Sequence, residues 1–85
     1  MVKVRVLFYG EPVTIIGARE MEMELPPLLS FETLRNAFFT RFQKLIQFRE
    51  VAQFAVDTVL LTADDPPVHI NHLTEIALIP PLSGG

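Results

Sequence analysis

The strongest constraint on the fold of this chain is a change of hydrophobic period. Phe31, Leu34, Phe38, Phe42 and Leu45 recur at intervals of three and four, the spacing of one face of a helix. Phe39 and Ile46 widen that stripe along one edge. Five of the seven phenylalanines lie between residues 31 and 48, so this helix is expected to supply most of the core volume. Ser30 stands where an N-cap belongs, and Glu32 falls in the first turn, where the helix dipole favours a carboxylate.

On both sides of the helix the period is two. In "VKVRVLFY" (2–9), Val2, Val4, Val6 and Phe8 share one face, while Lys3, Arg5, Leu7 and Tyr9 share the other, which predicts a half-buried strand. "REMEMEL" (19–25) alternates again, with Met21, Met23 and Leu25 inward and Glu20, Glu22 and Glu24 outward. The methionines read as core filler. Between these strands "GEPVTIIGA" (10–18), bracketed by glycines, reads as a loop or wide hairpin. Pro26 and Pro27 stop the second strand, because proline donates nothing to a ladder.

After the helix, "VAQFAVD" (51–57) and "TVLLTAD" (58–64) form a hairpin turning near Asp57–Thr58, and "DDPP" (64–67) is a turn. The last strand is "TEIALI" (74–79). Ile76 and Leu78 share one face, Ala77 and Ile79 the other, and neither face is polar after Glu75. That pattern belongs to a central strand covered on both sides or flanking an interface. One helix across a mixed sheet of four or five strands is an α+β fold. The order is similar to the β-grasp arrangement that ubiquitin uses.

At 85 residues the chain makes one small domain, and 49% hydrophobic against 20% charged residues excludes disorder. A net charge of −3 with scattered Lys and Arg argues against nucleic acid, which needs a basic stripe. With no cysteine there is no disulfide, thiol nucleophile or zinc–thiolate site. No apolar run reaches the ~20 residues of a membrane span, and no signal-peptide core opens the chain. A soluble cytoplasmic protein without membrane partners is expected.

The body is poor in chemistry. His69 and His72, in "HINH", are three apart in a loop leading into a strand, with no third ligand fixed nearby, so solvated loop histidines are expected and no metal site. Asp57 and Glu75 would serve as an acid/base pair only if the fold brought them together. Ser83 has no evident base.

The tail differs. Pro80 and Pro81 fix φ and favour a stiff, extended exit from the last strand. Leu82 and Ser83 follow, and Gly84 and Gly85 leave a thin tip that threads where a Cβ would clash. Stretched out, residues 80–85 reach about 20 Å. The chain divides on this reading into a folded body, 1–79, and a tail, 80–85, ending in the α-carboxylate of Gly85. A carboxylate joined to AMP gains a good leaving group, after which sulfur or amine takes the acyl carbon.

"EIALIPPLSGG" (75–85) resembles the end of the small subunit of molybdopterin synthase, a ubiquitin-like sulfur carrier family. "VLFYGEPVTIIGAREMEMELPPLLSFETL" (6–34) follows that family's strand, loop, acidic strand closing in Leu-Pro, and helix, and "FAVD" (54–57) is similar to its Ala-Val-Asn before a turn. The chain departs at Asp57, at Glu11–Pro12, at His72–Glu75 and after Pro26. The resemblance implies that an ATP-dependent, ubiquitin-activating-type adenylyltransferase adenylates Gly85, which then becomes a thiocarboxylate. ATP would be used by that enzyme, and no cofactor is expected on this chain. The tail would enter the large subunit of a heterotetramer and donate sulfur to a cyclic pyranopterin monophosphate, building the molybdopterin dithiolene. Gly85 would bear the sulfur, with Pro80, Pro81, Leu82, Ser83 and Gly84 as tail contacts and Leu7, Tyr9 and Ile79 as flanking interface residues. The chain would then be no enzyme alone but the sulfur-donating subunit of a sulfurtransferase. Other readings are a carrier for thiamine synthesis or tRNA thiolation, a ubiquitin-like protein modifier, and a β-grasp module with an inert tail.

Overall fold

The structure, a computed structural model, describes residues 1–81. The first strand, β1 (Val2–Phe8), pairs antiparallel with β2 (Glu20–Leu25), as their alternation requires. The helix α2 (Phe31–Arg41) crosses the sheet, followed by β4 (Gln53–Val56) and β5 (Val59–Leu61). The last strand, β7 (Glu75–Ile79), runs parallel to β1 and antiparallel to β4. The sheet order is β2-β1-β7-β4-β5, so β7 is the central strand. This five-stranded mixed sheet with one helix across it is the ubiquitin-like β-grasp fold.

Ser30 caps α2 as its position predicts, its Oγ accepting from the Thr33 N–H at 3.1 Å. Phe38 lies at the centre of the core, its ring 4.9–6.2 Å from those of Phe8, Phe39, Phe42 and Phe54. The helix does not run on through Leu45. Phe42 leaves helical geometry (φ −114°, ψ 65°), and Gln43–Phe48 wind as a 3₁₀ helix. The reason is packing. With three residues per turn, Phe42, Leu45 and Phe48 all face the core, at an interval of three. Ile46 is thereby turned out to solvent and does not widen the stripe.

The segment expected as a loop over 10–18 contains a short helix, α1 (Glu11–Ile16). Both glycines enclose it at positive φ, 67° at Gly10 and 83° at Gly17, and the Gly17 N–H donates to Val13 O at 2.8 Å, closing the helix end. Pro12 sits in its first turn, where a missing N–H costs nothing. Six residues are too few to display a helical period.

A second, two-stranded sheet joins β3 (Leu28–Leu29) to β6 (Val68–His69) and buries Leu29. Neither strand is legible by period, since two residues have none. The hairpin turns where its sequence places it. Asp57 and Thr58 both hold positive φ, 48° and 71°, the handedness that matches strand twist.

Candidate functional site

Because β1 and β7 are parallel neighbours, their C-terminal ends emerge side by side. Tyr9 and Gly10 leave one strand where Ile79, Pro80 and Pro81 leave the other. Together with Glu11 and Phe48 they line a recess of about 410 Å³ at the root of the tail. Gly10 makes this meeting possible. Its φ of 67° with ψ of −140° is a conformation for glycine, and it folds β1 away into α1. A Cβ built there would touch Pro80 Cγ at 3.5 Å. Pro80 is half-buried against this turn, and Pro81 is exposed. Leu82, Ser83, Gly84 and Gly85 lie outside the described residues.

Of the flanking residues expected at an interface, Leu7 and Ile79 are half-buried and Tyr9 is exposed. Registry extends them into a surface. Leu7 pairs with Ala77, Ala77 with Ala55, and Ala55 with Leu60, giving one apolar row across four strands on the face away from α2. Ile79 stands one step beyond Ala77 toward the tail. On the other side of the row Arg5 bridges Glu75 at 2.7 Å and Glu20 at 3.3 Å. Alternation names Ala77 with Ile79 on the second face of the last strand, whereas Ala55, Leu60 and Gly10 carry no such signal in the sequence. The apolar second face of "TEIALI" was the available signal, but the row exists only once strand order is known.

Asp57 and Glu75 do meet, though not as an acid/base pair. The Glu75 N–H donates to Asp57 Oδ1 at 2.9 Å, and the Asp57 N–H donates to the Glu75 carbonyl at 2.9 Å. The carboxylate of Asp57 braces the hairpin turn to the start of β7. His69 on β6 and His72 in the following turn are both exposed, and no group of three or more metal-ligating side chains gathers among the described residues. No helix among them is long and apolar enough to cross a membrane.

No family model matches the chain. Full-length relatives decide the matter. The molybdopterin synthase sulfur carrier subunit of Caenorhabditis briggsae is 39% identical over 85 residues, the whole of both chains. That of Caenorhabditis elegans is 34% identical over the same complete length. The chain belongs to the family of molybdopterin synthase sulfur carrier subunits. Among solved structures, a chain of the complex of subunits 1 and 2 of the molybdopterin-converting factor from Helicobacter pylori superimposes with a TM-score of 0.67. It covers 99% of this chain and 100% of its own at 24% identity, a likeness of fold. In this chain the shared exit of β1 and β7 sets Pro80 beside an apolar sheet face.

Proposed function

We propose that this protein carries sulfur on the carboxyl group of Gly85 and delivers it to a pterin substrate inside a larger partner subunit. The observation that carries the reading is the 39% identity, over the full length of both chains, to a molybdopterin synthase sulfur carrier subunit. An ATP-dependent activating enzyme joins the Gly85 carboxylate to AMP with release of pyrophosphate. A sulfur nucleophile then takes the acyl carbon, AMP departs, and a thiocarboxylate remains. Each such sulfur passes to cyclic pyranopterin monophosphate as water takes the acyl carbon and restores the Gly85 carboxylate, and two transfers build the dithiolene. The body supplies no thiol, and none is needed, because the sulfur rides on the backbone terminus.

Pro80, Pro81, Leu82, Ser83 and Gly84 act as the stem that reaches into the partner, stiff at the prolines and thin at the glycine. The apolar row of Leu7, Ala77, Ala55 and Leu60, with Ile79 and Tyr9 toward the stem, is the docking face beside it. The Helicobacter pylori relative in fold was solved in complex with a second subunit of its converting factor, which supports a large-subunit partner here. The assembly proposed is a heterotetramer with two copies of each subunit.

Incubation with the cognate activating enzyme, ATP and a sulfur source is expected to raise the intact mass by one oxygen-to-sulfur exchange at Gly85. Removal of Gly85 abolishes both the mass change and sulfur transfer while leaving circular dichroism and Tm unchanged. Full transfer by the truncated chain would overturn the assignment.

A further inference from the structure

One hollow among the described residues lies away from the tail. It is an open groove of about 980 Å³ between the outer edge of β2 and the side of α2, lined by Met21, Met23 and Ala37, with the basic side chains of Lys3 and Arg41 also in its lining. β2 is an edge strand. Its hydrogen-bonding register follows from the Phe8 N–H, which donates to Arg19 O at 2.9 Å. In an antiparallel ladder such bonded pairs alternate with non-bonded ones. Met21, Met23 and Leu25 therefore turn their backbone groups toward β1, while Glu20, Glu22 and Glu24 turn theirs outward, away from the sheet. Three peptide units are left ready for another strand.

Side chains define what kind of strand fits. Partners across a ladder share a face. Residues opposite Glu20, Glu22 and Glu24 would stand beside carboxylates, and residues opposite Met21 and Met23 would drop onto the groove floor. Glu20 is engaged by Arg5, but Glu22 and Glu24 form no salt bridge among the described residues. All three methionines of the chain, Met1 included, line this groove. Their flexible, polarisable side chains accommodate varied apolar shapes. The opposite side of β2 already displays the matching pattern. In β1, Lys3 and Arg5 stand across from Glu24 and Glu22, and Val4 and Val6 across from Met23 and Met21.

We propose that the free edge of β2 is a docking site for an extended segment of a partner protein that alternates basic and apolar residues and adds as a further strand. A second copy of this chain is a poor occupant, because antiparallel β2–β2 pairing would set Glu20, Glu22 and Glu24 against one another. Charge alone would protect the edge from chance pairing. An apolar-floored groove beside that edge serves no such purpose and receives side chains. The inference stands apart from the sulfur-carrying reading, since it uses the outer edge of β2 and neither the tail nor the Leu7–Leu60 row.

The probe is a blocked, fluorescently labelled hexapeptide of alternating lysine and valine, titrated into the full chain by anisotropy and by amide NMR. Saturable binding is expected, with shifts at Glu20, Glu22 and Glu24 and on α2 at Ala37 and Thr40. Reversing both free carboxylates, Glu22→Lys with Glu24→Lys, weakens binding about tenfold, as the loss of two exposed ion pairs and the gain of repulsion require. Glu22→Pro removes one outward N–H while sparing the ladder to β1, and it too weakens binding with Tm monitored in parallel. Reversing Glu32 and Glu50, which lie elsewhere, leaves binding unchanged. Absence of binding, equal binding of a glutamate–valine peptide, shifts on the Leu7–Leu60 row, or equal loss with the remote charges would each overturn the proposal.

Discussion

On the sheet face turned toward α2, Val4, Val6, Phe8, Phe54, Ile76 and Leu78 are each no more than 2% exposed. On the opposite face β1, β7, β4 and β5 carry Leu7, Ala77, Ala55 and Leu60; Ala55 is buried between its neighbours, but Leu60 remains 47% exposed. Both faces are apolar at their centre, yet one is sealed by phenylalanines and the other has no covering element among the described residues. Alternation in a strand creates two faces, but only a covering element turns one into a core. Here the chain has one long helix to spend, and its stripe is committed to one side. The second face is left without a helix across it among the described residues.

The largest effect that tests this contrast lies on the sealed side. Phe38→Ala removes the ring that meets four others, and a loss of about 3–5 kcal/mol is expected in chemical denaturation. A small loss would mean that the helix is not what distinguishes the faces. On the open side, Leu7→Lys places a third basic residue on a face that already holds Lys3 and Arg5, opposite Glu20. Stability should change by no more than about 1 kcal/mol. Affinity for the large subunit, measured by titration calorimetry, should fall about tenfold or more, as for loss of a central apolar contact. Unchanged affinity would show that the row is not the docking face.

The smallest effect concerns the hairpin that ends both faces. Thr58 is β-branched and held at φ 71°, a left-handed conformation that costs about 1–2 kcal/mol outside glycine. Thr58→Gly is therefore expected to raise stability by about 1 kcal/mol and to leave partner affinity alone. A drop in affinity would make the turn, braced to β7 by Asp57, part of the docking surface rather than a support for it.

Much of this was legible in the linear chain. Alternation located β1, β2 and β7, the prolines at 26–27 ended β2, Ser30 opened α2, and Asp57–Thr58 marked the hairpin. The apolar second face of "TEIALI" pointed to an interface before any strand order was known. Less visible was the break at Phe42. A stripe at three and four blends into one at strictly three, and sequence spacing alone does not say where the winding tightens. The short α1 and the β3–β6 pair escaped for a simpler reason, having too few residues to show any period.

The sequence by itself determined the long helix, its cap and the alternating faces of β1, β2 and β7, because periodicity, capping and proline placement act through neighbours along the chain. It also carried the family, through the identity spread over all 85 residues. Strand order and register were decided only by the tertiary structure, because they depend on contacts between residues far apart in the chain. Those contacts set Leu7 beside Ala77, brought Gly10 under Pro80, joined Asp57 to the backbone of Glu75, and left the acidic edge of β2 unpaired next to its groove.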